Sequence, residues 1–113
     1  MSIKVYLDIN ADPAVTVSPT TENVNEGNQT IEWVPAAQQP DFTFIGLAFP
    51  GNSNQFTDLV VDPTQMSVTE FNNNSGDDYP YVIMVSLDGV DYCTVPSGDI
   101  TGGGDGTPII HNN

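Results

Sequence analysis

The sequence predicts an all-β domain in which seven to eight short antiparallel strands pack as two facing sheets. Three observations carry this. Val, Ile and Thr are abundant while Leu, Ala, Glu, Lys and Arg are scarce, a composition that suits strands and disfavours helices. No stretch of about a dozen residues holds an apolar stripe at helical spacing. Prolines at 13, 19, 35, 40, 50, 63, 80, 96 and 108 divide the chain into short pieces. Because proline lacks a ladder donor, it belongs at strand ends, edges and turns. A small β-barrel is the alternative topology.

The first piece alternates, with Ile3, Val5, Leu7 and Ile9 on one face and Lys4, Tyr6 and Asp8 on the other. Val15 and Val17 form a second short run that stops at Pro19. After a turn at Glu26-Gly27-Asn28, the run from Gln29 to Val34 points Ile31 and Trp33 inward and Glu32 outward. Phe42 to Phe49 is the most apolar run. Phe42 and Phe44 lie on one side, Ile45, Leu47 and Phe49 on the other, and Gly46 marks a bulge or close approach. Apolar residues on both faces imply a central strand, or one whose second face meets a partner subunit. Leu59-Val60-Val61 and Met66 to Phe71 follow, the latter alternating Met66 and Val68 against Ser67 and Thr69. The clearest hairpin joins Tyr81–Leu87 to Val90–Val95 through Asp88-Gly89, the pair that suits a two-residue type I′ turn. Tyr81, Ile83, Val85 and Leu87 share its apolar face.

One sandwich domain over residues 1–113 is expected, with 99–113 a glycine-rich loop leading to a final edge strand at Thr107 to Ile110. Trp33 would sit between the sheets, its ring nitrogen requiring an acceptor. The stretch from Asn74 through Asp77-Asp78-Tyr79-Pro80-Tyr81 has a turn followed by an aromatic strand. That layout resembles the tyrosine corner of immunoglobulin-like sandwiches, a role for Tyr79 or Tyr81.

Charge excludes several functions. Asp and Glu total 15 against one base, Lys4, for a net charge of −14. Nucleic-acid binding needs several cationic side chains, so none is expected. An anionic membrane surface would repel the chain, and no segment has the length to span a bilayer. The first residues contain no signal-peptide core, and Cys93 is the single cysteine. A cytoplasmic location is therefore expected.

Catalytic inventory is poor. His111 is the single histidine and falls at an end expected to fray, while Cys93 fits a half-buried strand position. Nucleophilic catalysis needs such groups within hydrogen-bond reach, so no enzyme activity and no catalytic residue is expected. Calcium is the most reasonable ion, since it takes six to eight oxygens from carboxylates, amides and carbonyls. Asn74, Asp77 and Asp78 are its candidate ligands, with Asp88 and Asp91 near a neighbouring hairpin and Asp99 and Asp105 flanking the glycine-rich segment. The alternative is that Asp and Asn serve turns and a solvated surface, with no cofactor at all. Trp33, Phe49, Phe56 and Tyr79 would be the aromatic platforms of a carbohydrate site, although a core also needs them.

The ordered elements Ile31-Glu32-Trp33, Phe42-Thr43-Phe44-Ile45-Gly46-Leu47, Met66-Ser67-Val68, Gly76-Asp77-Asp78-Tyr79-Pro80-Tyr81 and Pro108-Ile109-Ile110-His111-Asn112 resemble the small bacterial DP-EP family. The likeness spans nearly the whole chain, departing at Gly106-Thr107-Pro108. It implies a bacterial, soluble, all-β protein and transfers no catalytic or ligand-binding residue. The expected function is a non-catalytic structural or protein-interaction domain. It would bind an unknown protein, or itself as a symmetric dimer through the first strand, the Phe42–Phe49 strand or the last strand. A calcium- or carbohydrate-binding module using the Asp/Asn-rich loops is the alternative.

Overall fold

The computed structural model describes residues 1–50, 56–72, 76–95 and 107–112. They form an all-β, sandwich-like structure of eleven strands: β1 (Ser2–Leu7), β2 (Val15–Ser18), β3 (Thr21–Val24), β4 (Gly27–Pro35), β5 (Thr43–Ala48), β6 (Phe56–Asp62), β7 (Gln65–Asn72), β8 (Asp78–Pro80), β9 (Val82–Leu87), β10 (Val90–Cys93) and β11 (Ile109–Asn112). One sheet has five strands in the order β2-β1-β4-β7-β6. Two smaller sheets run β10-β9-β5 and β3-β11-β8, the latter called the terminal sheet because it holds β11.

The strand count exceeds expectation because the chain changes sheets where its sequence looks like a turn. After β2 it passes Pro19 into β3 of the terminal sheet, then turns and returns as β4 beside β1. That crossover makes β1 and β4 parallel, with Ile3 opposite Trp33 and Val5 opposite Pro35. A second parallel pair joins β3 to β11, so two of the three sheets are mixed where antiparallel pairing was expected, while β10-β9-β5 is antiparallel throughout. A second switch falls at Tyr81, between β8 of the terminal sheet and β9 of the other small sheet.

The last strand is not an edge. β11 lies between β3 and β8, and Ile110 and Asn112 alternate into the interior with no exposure. It starts after Pro108, whose carbonyl accepts the Tyr81 amide at 3.0 Å, while the Ile109 amide donates to Thr20 O at 2.9 Å. His111, expected at a frayed end, therefore occupies the middle of a sheet.

The core contains the inner faces of all three sheets: Ile3, Val5 and Leu7 of β1, Val15 and Val17 of β2, Ile31 and Trp33 of β4, Met66 and Val68 of β7, Ile83 and Val85 of β9, with Val24, Phe42, Phe44, Tyr81 and Ile110. Ile9, expected to share the first face, lies beyond the end of β1 and is exposed. Trp33 is fully buried, and its Nε1–H donates to the Tyr81 hydroxyl at 3.1 Å, the rings meeting edge to face at 5.3 Å. The expected tyrosine corner is here a tyrosine–tryptophan pair. Burial pushes the Tyr81 phenol above its ordinary range, the Trp33 bond opposing this and nearby Glu22 adding to it.

At the hairpin, Asp88 has φ 52° and Gly89 φ 80°, the two positive values a type I′ turn requires. Gly46 marks a bulge as expected. Phe44 pairs with Val85 and Gly46 with Met84, so Ile45 is the extra residue. This changes the faces: Leu47 now joins Phe44 toward the core, while Ile45 turns outward. Among the described residues, β5 pairs with β9 alone and is an edge of its ladder rather than a central strand.

Candidate functional site

Of the expected calcium ligands, Asp77 and Asp78 fall among the described residues. Asn74 lies outside the described residues, as do Asp99 and Asp105. Asp78 begins β8 opposite His111 of β11, and its Oδ1 lies 2.5 Å from His111 Nδ1. Asp77 O accepts the Asn112 amide at 2.9 Å. Asp88 occupies the hairpin turn and Asp91 the strand after it, in a different sheet from Asp78. Among the described residues, no three His, Cys, Asp or Glu side chains are grouped to hold a metal ion.

Cys93 ends β10, half-buried, with its thiol directed to Val95 O at 3.7 Å. It borders an open hollow of about 290 Å³ with Asp12, Asp91, Tyr92 and Ile9. His111 belongs to the terminal sheet and does not line that hollow. Trp33 is enclosed in the core, so it offers no face to a sugar.

One buried ionisable group was not anticipated. The alternation of Met66 and Val68 continues through β7, sending Glu70 inward to zero exposure and leaving Phe71 57% exposed. Counting two residues further along that strand identifies both. Burial raises the Glu70 pKa above 4.5, with the neighbouring Asn112 side chain acting in the opposite direction.

An open apolar feature lies between β5 and β6. Among the described residues these strands come close without forming a ladder, and the Phe44 amide donates to Pro63 O, just past β6, at 3.0 Å. A slot of about 280 Å³ remains, lined by Leu47, Ala48, Phe49, Phe56, Leu59 and Val68. Phe49 and Phe56 stack at 3.9 Å, and Phe56 meets Tyr79 edge to face at 5.3 Å. The aromatic contacts thus connect the slot to the terminal sheet.

β6 pairs with β7 and closes one edge of the five-stranded sheet. A bulge between Thr57 and Val60, with Asp58 at φ 56°, disturbs its register. Leu59 and Val60 are each 48% exposed and Val61 39%, an apolar run without a basic side chain. Edge strands are ordinarily blunted by charge, proline or cover, and the acidic residues here are Asp58 and Asp62. Leu59-Val60-Val61 was expected as a strand, but its exposed position was not legible from composition. The sequence matches no protein-family model and no curated protein.

Proposed function

We propose that this chain is a non-catalytic protein-interaction domain that engages its partner through the rim formed by β5 and β6. The frame is read as an immunoglobulin-like sandwich, supported by the interior Trp33–Tyr81 pair and the type I′ hairpin. The likeness to the DP-EP proteins is proposed from the order of sequence elements such as Ile31-Glu32-Trp33 and Pro108-Ile109-Ile110-His111-Asn112. The observation that carries the functional reading is the exposed Leu59-Val60-Val61 run beside an apolar slot. An unpaired edge supplies main-chain hydrogen bonds to an added strand, and neighbouring pockets select its side chains.

Panning random displayed peptides against the full chain tests the reading, with a Leu59→Ser/Val61→Ser variant as counter-selection. Peptides that bind the natural chain and lose about tenfold or more on the variant are expected. Enrichment that ignores the two substitutions, or no enrichment, would reject the rim as an interaction surface.

A further inference from the structure

We infer that the partner at this rim is a cationic extended segment, its apolar side chains alternating with Lys or Arg; the inference rests on the interaction reading above. The β5–β6 rim combines two features. Among the described residues its backbone edges belong to no shared ladder, and the slot walls, Leu47, Ala48, Phe49, Phe56, Leu59 and Val68, are aliphatic and aromatic. A strand laid along β6 places successive side chains on opposite sides. One set would enter the slot against Phe49, Phe56 and Leu59, and the other would face outward over the acidic surface.

Charge chooses among occupants. Asp58 and Asp62 stand exposed on β6, and Asp41 stands exposed before β5. The whole chain carries −14 with Lys4 as its one basic side chain. A second copy would bring another −14 against the same edge, whereas a basic strand is drawn in by the field and then held by the ladder. Asp58 and Asp62 also stand where an edge needs protection from its own kind, and like charges directly opposed are unfavourable. The same carboxylates therefore discourage self-pairing and favour a cationic partner.

The test titrates the full chain with synthetic peptides of about eight residues. These are an alternating Lys–Val peptide, a neutral Thr–Val peptide of the same length, and the Lys–Val peptide with proline at its centre. The Lys–Val peptide should bind most tightly and weaken with added salt. Leu59→Ser/Val61→Ser should weaken it at least about tenfold, and Asp58→Asn/Asp62→Asn several-fold. The proline-bearing peptide, equal in charge but unable to complete a ladder, should bind much more weakly. Urea unfolding followed by Trp33 fluorescence establishes that each variant is folded. Equal affinity for the neutral peptide would overturn the cationic partner while leaving the rim reading intact. Binding unaffected by proline or by Leu59→Ser/Val61→Ser would reduce the effect to diffuse charge and overturn the inference. Failure of both alternating peptides would overturn the inference and the rim reading together. A rim-dependent dimer at about 100 µM, seen by light scattering, would replace the cationic partner with a second copy.

Discussion

Replacing Tyr81 with Phe removes one oxygen from the centre of the fold and leaves the ring in place. The Trp33 Nε1–H, now directed at that oxygen over 3.1 Å, would lose its acceptor inside a fully buried site. An orphaned buried donor costs about 1–3 kcal/mol, more than the net value of a typical hydrogen bond, because its water partner is not regained. The edge-to-face contact at 5.3 Å survives in Phe, so the loss measures the hydroxyl rather than the packing. For 113 residues, an unfolding entropy of roughly 2.1 cal/mol/K per residue makes 1 kcal/mol worth about 4 °C. Tyr81→Phe should therefore lower Tm by about 4–12 °C. With a urea slope of about 1.5 kcal/mol/M, the midpoint should fall by about 0.7–2 M. Trp33 is the single tryptophan, so its emission reports unfolding of the natural chain and the Tyr81→Phe variant. By circular dichroism, the double variant Trp33→Phe/Tyr81→Phe should cost less than the sum of the two singles, because donor and acceptor leave together. A Tyr81→Phe loss below about 0.5 kcal/mol, or strict additivity in the cycle, would refute the pairing as a stabilising contact.

Other outcomes follow from the same physics. Glu70→Gln should gain stability relative to the natural chain as pH rises. The folded state holds the Glu70 proton above the ordinary 4.5, so the natural chain loses stability as pH climbs through the folded value, a slope the Gln variant lacks; parallel stability–pH curves from urea unfolding would contradict this. Gly89→Ala should cost about 1–2 kcal/mol, because Gly89 sits at φ 80°, whereas Gly46→Ala should stay within about 0.5 kcal/mol. Among the described residues, and beyond its immediate chain neighbours, neither glycine has an atom within 4 Å of a new Cβ, so calorimetry on the pair isolates backbone conformation from crowding. Raising NaCl from low salt to about 0.5 M should increase Tm by screening the −14 charge; an unchanged or falling Tm would count against self-repulsion.

Much of the fold was legible because alternation is a local signal. Ile3-Val5-Leu7, Ile31 with Trp33, and Ile83 with Val85 all point inward as their spacing predicts. Asp88-Gly89 specifies its turn through two backbone angles that few residue pairs accept. What escaped is non-local. Nothing near Pro19 or Tyr81 tells a strand end from a change of sheet, since both place turn-like residues between apolar ones. The Gly46 bulge was readable, but its effect on Ile45 and Leu47 depends on the opposing register of Met84 and Ile83.

The candidate site was less legible for the same reason. Asp78 looks like a calcium ligand in sequence, and only the β8–β11 register sets it against His111. Phe71 and Leu59 look like core residues by composition, and it is the edge position of β6 and the phase of β7 that leave them in solvent. Glu70 is the converse case, an acid that the strand period carries inside.

Amide hydrogen exchange resolved along β6 tests the open rim most directly. In the free chain, the Phe56–Asp62 amides directed away from β7 should exchange far faster than those bonded to it, and the Lys–Val peptide should slow that fast set selectively. Uniform protection of β6 before any peptide is added, or slowing spread across distant acidic loops instead, would contradict an edge waiting for a strand.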